Sequence, residues 1–426
     1  MTNAADDPRA RFAREIVERL RGAGYVALWA GGCVRDRLLD RVPKDYDVAS
    51  SATPDQVRQV FGVRKTLAIG AAFGVIAVVG NKSQGTVEVA TFRRDTNYSD
   101  GRRPDAVEFS SPEEDAQRRD FTINGLFYDP LDERVIDYVG GVDDLHRGIV
   151  RAIGDPRERF AEDRLRLLRA IRMTARFDFA LDDATRAAVE VAAATVVSVS
   201  PERIGQEMRQ MLTIASAPRA MTLLLETGLL QAVWPEVLSL ATQAAAIDDL
   251  PPWPFALAVL AQTDHPTVPL ALAAMTYQLD SPHTALDGAN QRWRLANKEH
   301  ERSVWLAEHA RALVDAPQAR WSLVQPLLIH DGADELIALH AAIAQVAQLD
   351  SAHVAFCRAR RALPSDALNP APLVTGRDLL AAGYTAGPEF AGWLSRLRAA
   401  QLDGEIESRE GALALVQAWM QQREHS

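Results

Sequence analysis

The stretch Leu28–Val48, LWAGGCVRDRLLDRVPKDYDV, constrains this chain more than any other. A short apolar run ends at Gly31 and Gly32, where the backbone can turn sharply and approach a ligand closely. The segment that follows, Val34–Leu39, carries Arg and Asp and reads as a helix. The start of such a helix offers unpaired N–H groups to a phosphate. Beyond Pro43 come Asp45 and Asp47, one residue apart. Alternate side chains of a strand share a face, so an extended Lys44–Val48 points both carboxylates the same way. Two carboxylates on one face repel unless a cation lies between them. The natural occupant is a hard divalent metal, and Mg²⁺ often takes only one or two protein carboxylates plus substrate phosphates. A lone Gly-Gly or D-x-D usually marks a turn. The information lies in their order: strand, glycine pair, Arg/Asp helix, paired acids on a strand.

The chain has 426 residues, 47% of them hydrophobic, enough for several cored domains. No apolar run approaches the ~20 residues of a membrane helix, and the N-terminus lacks the basic-then-apolar pattern of a signal peptide. Cys33 and Cys357 are the only cysteines, too few for a disulfide framework or a zinc cluster, so a cytoplasmic protein is expected. The net charge of −10 argues against a nucleic-acid partner for the surface as a whole. The charge is uneven, however. Arg151–Arg176 holds eight Arg against four acids, and a local field of that kind can guide a phosphate backbone.

In chain order, residues 10–23 read as an amphipathic helix and 25–30 as a strand. Thr53, Pro54 and Gln56 have capping-box spacing for the next helix, which ends near Gly62. Phe73–Val79 and Thr86–Phe92 read as paired strands. Glu88 sits within the second, facing either solvent or the acid pair. Arg93–Ser111 is polar, Arg-rich and without evident structure, which suits either a surface loop or one that gates a substrate. Ser111-Pro112 starts a helix, and Arg118, Arg119, Asp120 and Asn124 follow it.

Arg157–Phe177 has helical periodicity throughout. Leu165, Leu167, Leu168 and Ile171 fall on one side, and Asp163, Arg166, Arg169 and Arg172 on the other. Such a row is either a solvated face or the lining of a groove that binds phosphate oxygens or base edges. Beyond Phe179 nearly everything reads as helix, including 255–277, 292–314, 319–329, 332–348, 352–361, 375–383, 387–403 and 408–422, with no fixed-period repeat. His330-Asp331 lacks the further His and Asp ligands a metal phosphohydrolase would need.

Taken together, GGCVRDRLL with KDYDV, EVATFRRD, RRDFTING, EDRLRLLRAIR, PERIGQEM and the terminal TGRDLLAAGYTAGPEFAGWLSRLRAAQLDGEI resemble the class II nucleotidyltransferases. That family comprises CCA-adding tRNA nucleotidyltransferases and bacterial poly(A) polymerases. The terminal block looks like the tail of the CCA-adding members. IGAAFGVIAV lacks the Gly-Arg-Arg-aromatic pattern of the polymerases, and DTNYSDGRRP looks like the flexible loop of full CCA-adding enzymes. Cys33 and Gly125 stand where Ala is common in the family, both small changes.

The resemblance implies an α+β protein: a mixed-sheet nucleotidyltransferase head (1–150), a helical neck (151–230), a helical body (231–365) and a tRNA-binding helical tail (366–426). It implies template-independent addition of CCA to tRNA 3′ ends from CTP and ATP, with Mg²⁺ held by Asp45 and Asp47 and Glu88 as a third catalytic acid. Gly32, Arg35, Arg119, Asp120 and Asn124 would contact the nucleotide. Asp163 and Arg166 would face the Watson–Crick edge, and Arg169 and Arg172 would hold phosphate. A partial CC- or A-adding enzyme, a poly(A) polymerase and an inactive RNA-binding protein on the same scaffold are the alternatives. Oligomeric state is open.

Overall fold

The computed structural model describes residues 7–70, 74–96, 106–242, 250–263, 265–385, 387 and 389–424. The chain divides into two compact units, Met1–Pro235 with Arg292–Arg294 and Glu236–Gln291 with Leu295–Ser426.

The first unit opens with α1 (Pro8–Gly22), capped by Asp7, whose carboxylate accepts from Arg9 N–H at 2.9 Å. Phe12, Ala13, Ile16, Val17 and Leu20 recur at helical spacing and are buried. The fully buried β1 (Ala27–Ala30) runs into α2 (Gly32–Leu38), then β2 (Asp47–Ser50) and α3 (Pro54–Phe61), where Thr53 and Gln56 form the expected capping box. There follow β3 (Thr66–Gly70), β4 (Val75–Val79), β5 (Thr86–Thr91), β6 (Arg93–Thr96), β7 (Ala106–Phe109), α4 (Pro112–Gln117), β8 (Phe127–Asp129) and β9 (Arg134–Ile136). Seven strands make one mixed sheet in the order β3-β4-β5-β2-β1-β8-β9. Within it β2 and β5 pair in parallel, and Asp47 stands opposite Glu88 in that register. Trp29 of β1 pairs with Val48 on one side and Tyr128 on the other. Its indole lies between the rings of Tyr46 (4.9 Å) and Tyr128 (5.6 Å). On the other face of β1, Leu28 and Ala30 join Ala49, Phe92, Ala116 and Phe127 in a buried cluster.

The segment 93–111 departs from the loop reading: β6 and β7 pair antiparallel over its two ends, while its centre, 97–105, lies outside the described residues. The expected strand over 73–79 begins at Val75, and Phe73 lies outside the described residues.

The helical remainder of this unit is α5 (Gly141–Arg147), α6 (Pro156–Glu162), α7 (Leu165–Phe177), α8 (Asp183–Ala192), α9 (Pro201–Leu212), α10 (Ala217–Glu226) and α11 (Leu229–Val233). The helix expected over 157–177 is two helices. Asp163 between them is extended (φ −144°, ψ 105°), and its carboxylate accepts from Leu165 N–H to start α7. α7 packs on α9 and α10. Gly205 of α9 lies so close to Trp293 that a Cβ there would sit 2.0 Å from the Trp293 carbonyl oxygen. Trp293 is fully buried, with Nε1 donating to the Val233 carbonyl at 3.1 Å and its ring against Trp234.

The described part of the second unit is helical. The run expected over 255–277 divides into Pro252–Gln262 and Val268–Thr276, and that over 292–314 into the end of Pro282–Trp293 and Asn297–Glu308. Pro269 and the Thr267 cap, whose hydroxyl accepts from Leu270 N–H, account for the first restart. His330 stacks on Trp305 (3.8 Å) and its Nδ1 accepts from Gly332 N–H, while Asp331 pairs with Arg302. Near the C-terminus Val374, Leu379, Leu397, Ala412 and Val416 form a separate small core ringed by Tyr384, Phe390, Trp393 and Trp419. Among the described residues no helix is long and apolar enough to cross a membrane.

Candidate active site

A cavity of about 810 Å³ opens in the first unit between the β-sheet and α7. Its floor comes from Leu28–Val48. Gly31 caps α2 at φ 72°, a left-handed conformation that a side chain strains, and a Cβ there would press on Arg119 Nη1. Gly32 begins the helix. Asp45 precedes β2 and Asp47 starts it, and both are exposed, whereas Tyr46 and Val48 are buried. The alternation turns both carboxylates into the cavity.

Asp47 opens to the cavity on one side but is otherwise recessed among protein atoms. That recess, with Glu88 and Asp45 nearby and Arg119 only partly compensating, raises its pKa to about 6. Like charges gathered in one recess are a poor arrangement without a cation and a good one with it. The donor set, oxygens only, fits a hard divalent metal completed by substrate phosphate. Among the described residues no group of three or more His, Cys, Asp or Glu forms a metal cage. Glu88 stands beside Asp47 across the parallel ladder but does not line the cavity.

One wall follows α4. Buried Asp115 receives Arg118 Nε at 2.8 Å on Oδ1 and Arg119 Nη2 at 3.0 Å on Oδ2, so one carboxylate aligns two guanidinium groups. Arg93 N–H also donates to Asp115 Oδ1, at 3.4 Å. Arg93, Arg118 and Arg119 all line the cavity. Asp120 Oδ1 accepts from Phe121 N–H and Asn124 Nδ2. Burial alone would raise Asp120, but Arg169, Asn124, Arg166 and the Phe121 amide outweigh it and hold the pKa at about 2. Arg35 is buried. It donates to Asp36 and Asn124, and its guanidinium lies 4.3 Å from the centre of the Phe177 ring, so only part of it is left for a ligand.

The opposite wall is the row Asp163, Arg166, Arg169 and Arg172, with Met173 beside it. Arg166 Nη1 donates to Glu162 Oε2 and to the Arg159 carbonyl (2.9 Å), and Nη2 to the Arg118 carbonyl (3.2 Å). Arg169 pairs with Asp120, Arg172 with Glu207, and Asp163 with Arg203. Thus the structure gathers every candidate of the sequence reading except Glu88 around one cavity, although they are spread over 32–172. Sequence reasoning did not single out Arg93, Arg118 and Met173 as lining residues, nor Asp115, Arg203 and Glu207 as their partners. Asp115 and Glu162 carried a local signal, an acid three or four residues from an Arg. Arg203 and Glu207 lie in PERIGQEM, but no local spacing ties them to Asp163 and Arg172.

Comparison with known proteins accords with this geometry. The profile of the "Poly A polymerase head domain" matches residues 27–151, and that of the "Probable RNA and SrmB- binding site of polymerase A" matches 178–240. A CCA-adding enzyme of Geobacillus sp. (strain WCH70) is 44% identical over 215 residues, an alignment spanning 50% of this chain and 52% of that protein. One of Levilactobacillus brevis is 31% identical over 411 residues, 94% of this chain and 96% of its own length. The solved Bacillus stearothermophilus CCA-adding enzyme in complex with CTP superposes with a TM-score of 0.76 at 28% identity, covering 98% of this chain and all of that one.

Proposed function

The chain belongs to the family of CCA-adding enzymes, and from that membership we propose that it adds CCA to tRNA 3′ ends from CTP and ATP without a nucleic-acid template, releasing pyrophosphate. The observation that carries the reading is the single cavity in which a paired-acid floor meets an Arg/Asp wall. The polymerase β-like nucleotidyltransferases use a divalent metal, and here we infer Mg²⁺, held by Asp45 and Asp47. When bound, the metal supplies a lowered pKa for the tRNA 3′-hydroxyl and neutralises charge on the transferred and leaving phosphates. Glu88 supports Asp47 from the neighbouring strand as a third acid.

The chain's own groups then divide the work. The α2 N-terminus at Gly32, with Arg35, Arg119, Asp120 and Asn124, binds and orients the triphosphate and sugar. Asp163 and Arg166 read the base. Cytosine and adenine both present an amino donor beside a ring-nitrogen acceptor on the Watson–Crick edge, so one carboxylate and one guanidinium serve both. Uracil and guanine present the reverse order and leave both side chains facing like groups. Arg169 and Arg172 hold phosphate. The head, neck, body and tail divisions at 150, 230 and 365 belong to the same reading, with body and tail contacting tRNA in the cytoplasm.

Purified protein given tRNA lacking CCA tests this directly. CTP alone should yield CC ends, ATP alone no extension of that substrate, and both together CCA. Long A tails, or failure to use CTP, would overturn it, and no incorporation at all would favour an RNA-binding protein.

A further inference from the structure

Each member of the base- and phosphate-facing row meets an opposite charge: Asp163 meets Arg203, Arg166 meets Glu162 and Arg172 meets Glu207, while Arg169 meets Asp120 across the cavity. Arg203 and Glu207 stand four residues apart on α9 and so share a face. Neither lines the cavity. We propose that Arg203 is a positioning residue that determines base specificity by fixing the Asp163 carboxylate. This rests on the reading of Asp163 as a base selector.

Arg203 Nη1 donates to Asp163 Oδ1 at 3.1 Å and Nη2 to Oδ2 at 2.7 Å, a two-pronged contact that fixes the plane of the carboxylate. Leu165 N–H adds a second bond to Oδ1 at 3.1 Å. An ionised carboxylate has about four lone-pair sites. Three are thus engaged, and the fourth, on Oδ2, is left to accept a proton from a base. An exocyclic amino group of cytosine or adenine satisfies it, whereas the carbonyl of uracil or guanine sets oxygen against oxygen. A carboxylate free to rotate could swing away from that mismatch. Held by Arg203 and by the start of α7, it cannot, so the mismatch keeps its full cost. Arg203 is reached only through the fold, 40 residues from Asp163 in sequence.

The test is single-nucleotide insertion onto tRNA lacking CCA with CTP and with UTP, for wild type, R203M, R203K and D163N. Arg203→Met should narrow the CTP-to-UTP ratio of kcat/KM about tenfold, and Arg203→Lys, which keeps the positive charge but not the planar fork, should recover part of the loss. Equal falls for both nucleotides would reduce Arg203 to a scaffold residue and overturn the proposal, as would an unchanged ratio. If D163N alters base choice while R203M does not, the role of Asp163 stands and that of Arg203 falls. If D163N leaves choice unchanged, both fall.

Discussion

Asp120 Oδ2 accepts a hydrogen bond from Arg169 Nε at 2.8 Å, tying the segment after α4 to the middle of α7 across the cavity. The pair closes a circuit, because Asp120 Oδ1 holds Asn124, and Asn124 holds Arg35. Asp120→Asn should therefore destabilise the protein at neutral pH by about 2 kcal/mol, in keeping with a carboxyl held near pKa 2. Urea unfolding reads this. The same variant should raise nucleotide KM more than it lowers kcat, since it loosens a wall and leaves the acid pair intact.

Asp45→Asn and Asp47→Asn should each lower incorporation by at least ~10³-fold with little loss of thermal stability. Among the described residues neither carboxylate accepts a side-chain hydrogen bond, and removing Asp45 relieves repulsion on Asp47. Chelation of the divalent metal should reproduce the loss in the wild type, and Mg²⁺ should reverse it. Full activity of either variant would dislodge the metal assignment.

Glu88→Gln should be milder, within about tenfold of wild type, because Glu88 neighbours Asp47 without lining the cavity. A loss as large as that of the Asp47 variant would make Glu88 a direct ligand.

His340 provides the pH-dependent prediction. Burial lowers its pKa from 6.5 to about 4, the carbonyl of His309 opposes, and neighbouring His353 reinforces. A folded-state pKa below the unfolded one means that the unfolded chain binds the extra proton first. The stabilising contribution is complete above 6.5 and is lost as pH falls through 4, up to about 3 kcal/mol. His340→Gln should flatten that part of the stability–pH curve measured by denaturant titration from pH 7 to 4.

Gly205→Ala should displace α9, since the added methyl meets the Trp293 carbonyl at 2.0 Å. A loss of about 1–3 kcal/mol is expected by thermal unfolding. Because α9 carries Arg203 and Glu207, the surviving enzyme should also discriminate CTP from UTP less well.

Much of this was legible from the sequence because its causes are local. The capping boxes at Thr53 and Ser111 rest on residues three apart, and the aspartate pair rests on strand alternation. What escaped is non-local. Nothing in EDRLRLL breaks helical periodicity at Asp163, where a bidentate pair with Arg203 favours an extended backbone. The exposed edge strand β3, with Leu67 and Ile69 open to solvent, lacks the burial pattern that marks a strand. Three of the four counter-charges of the row, Asp120, Glu207 and Arg203, come from residues 35–49 positions away, beyond any local spacing rule.

Trp29 pairs at once with Val48, next to the acid pair, and with Tyr128, four residues past Asn124. The acid floor and the Asn124 side of the cavity are thereby referred to a single strand. A one-residue slip of β1 against either neighbour would turn buried side chains outward and misplace acids or guanidinium groups together. A molecule misthreaded at β1 should accordingly lose the acid pair and the Asn124 contacts in one step.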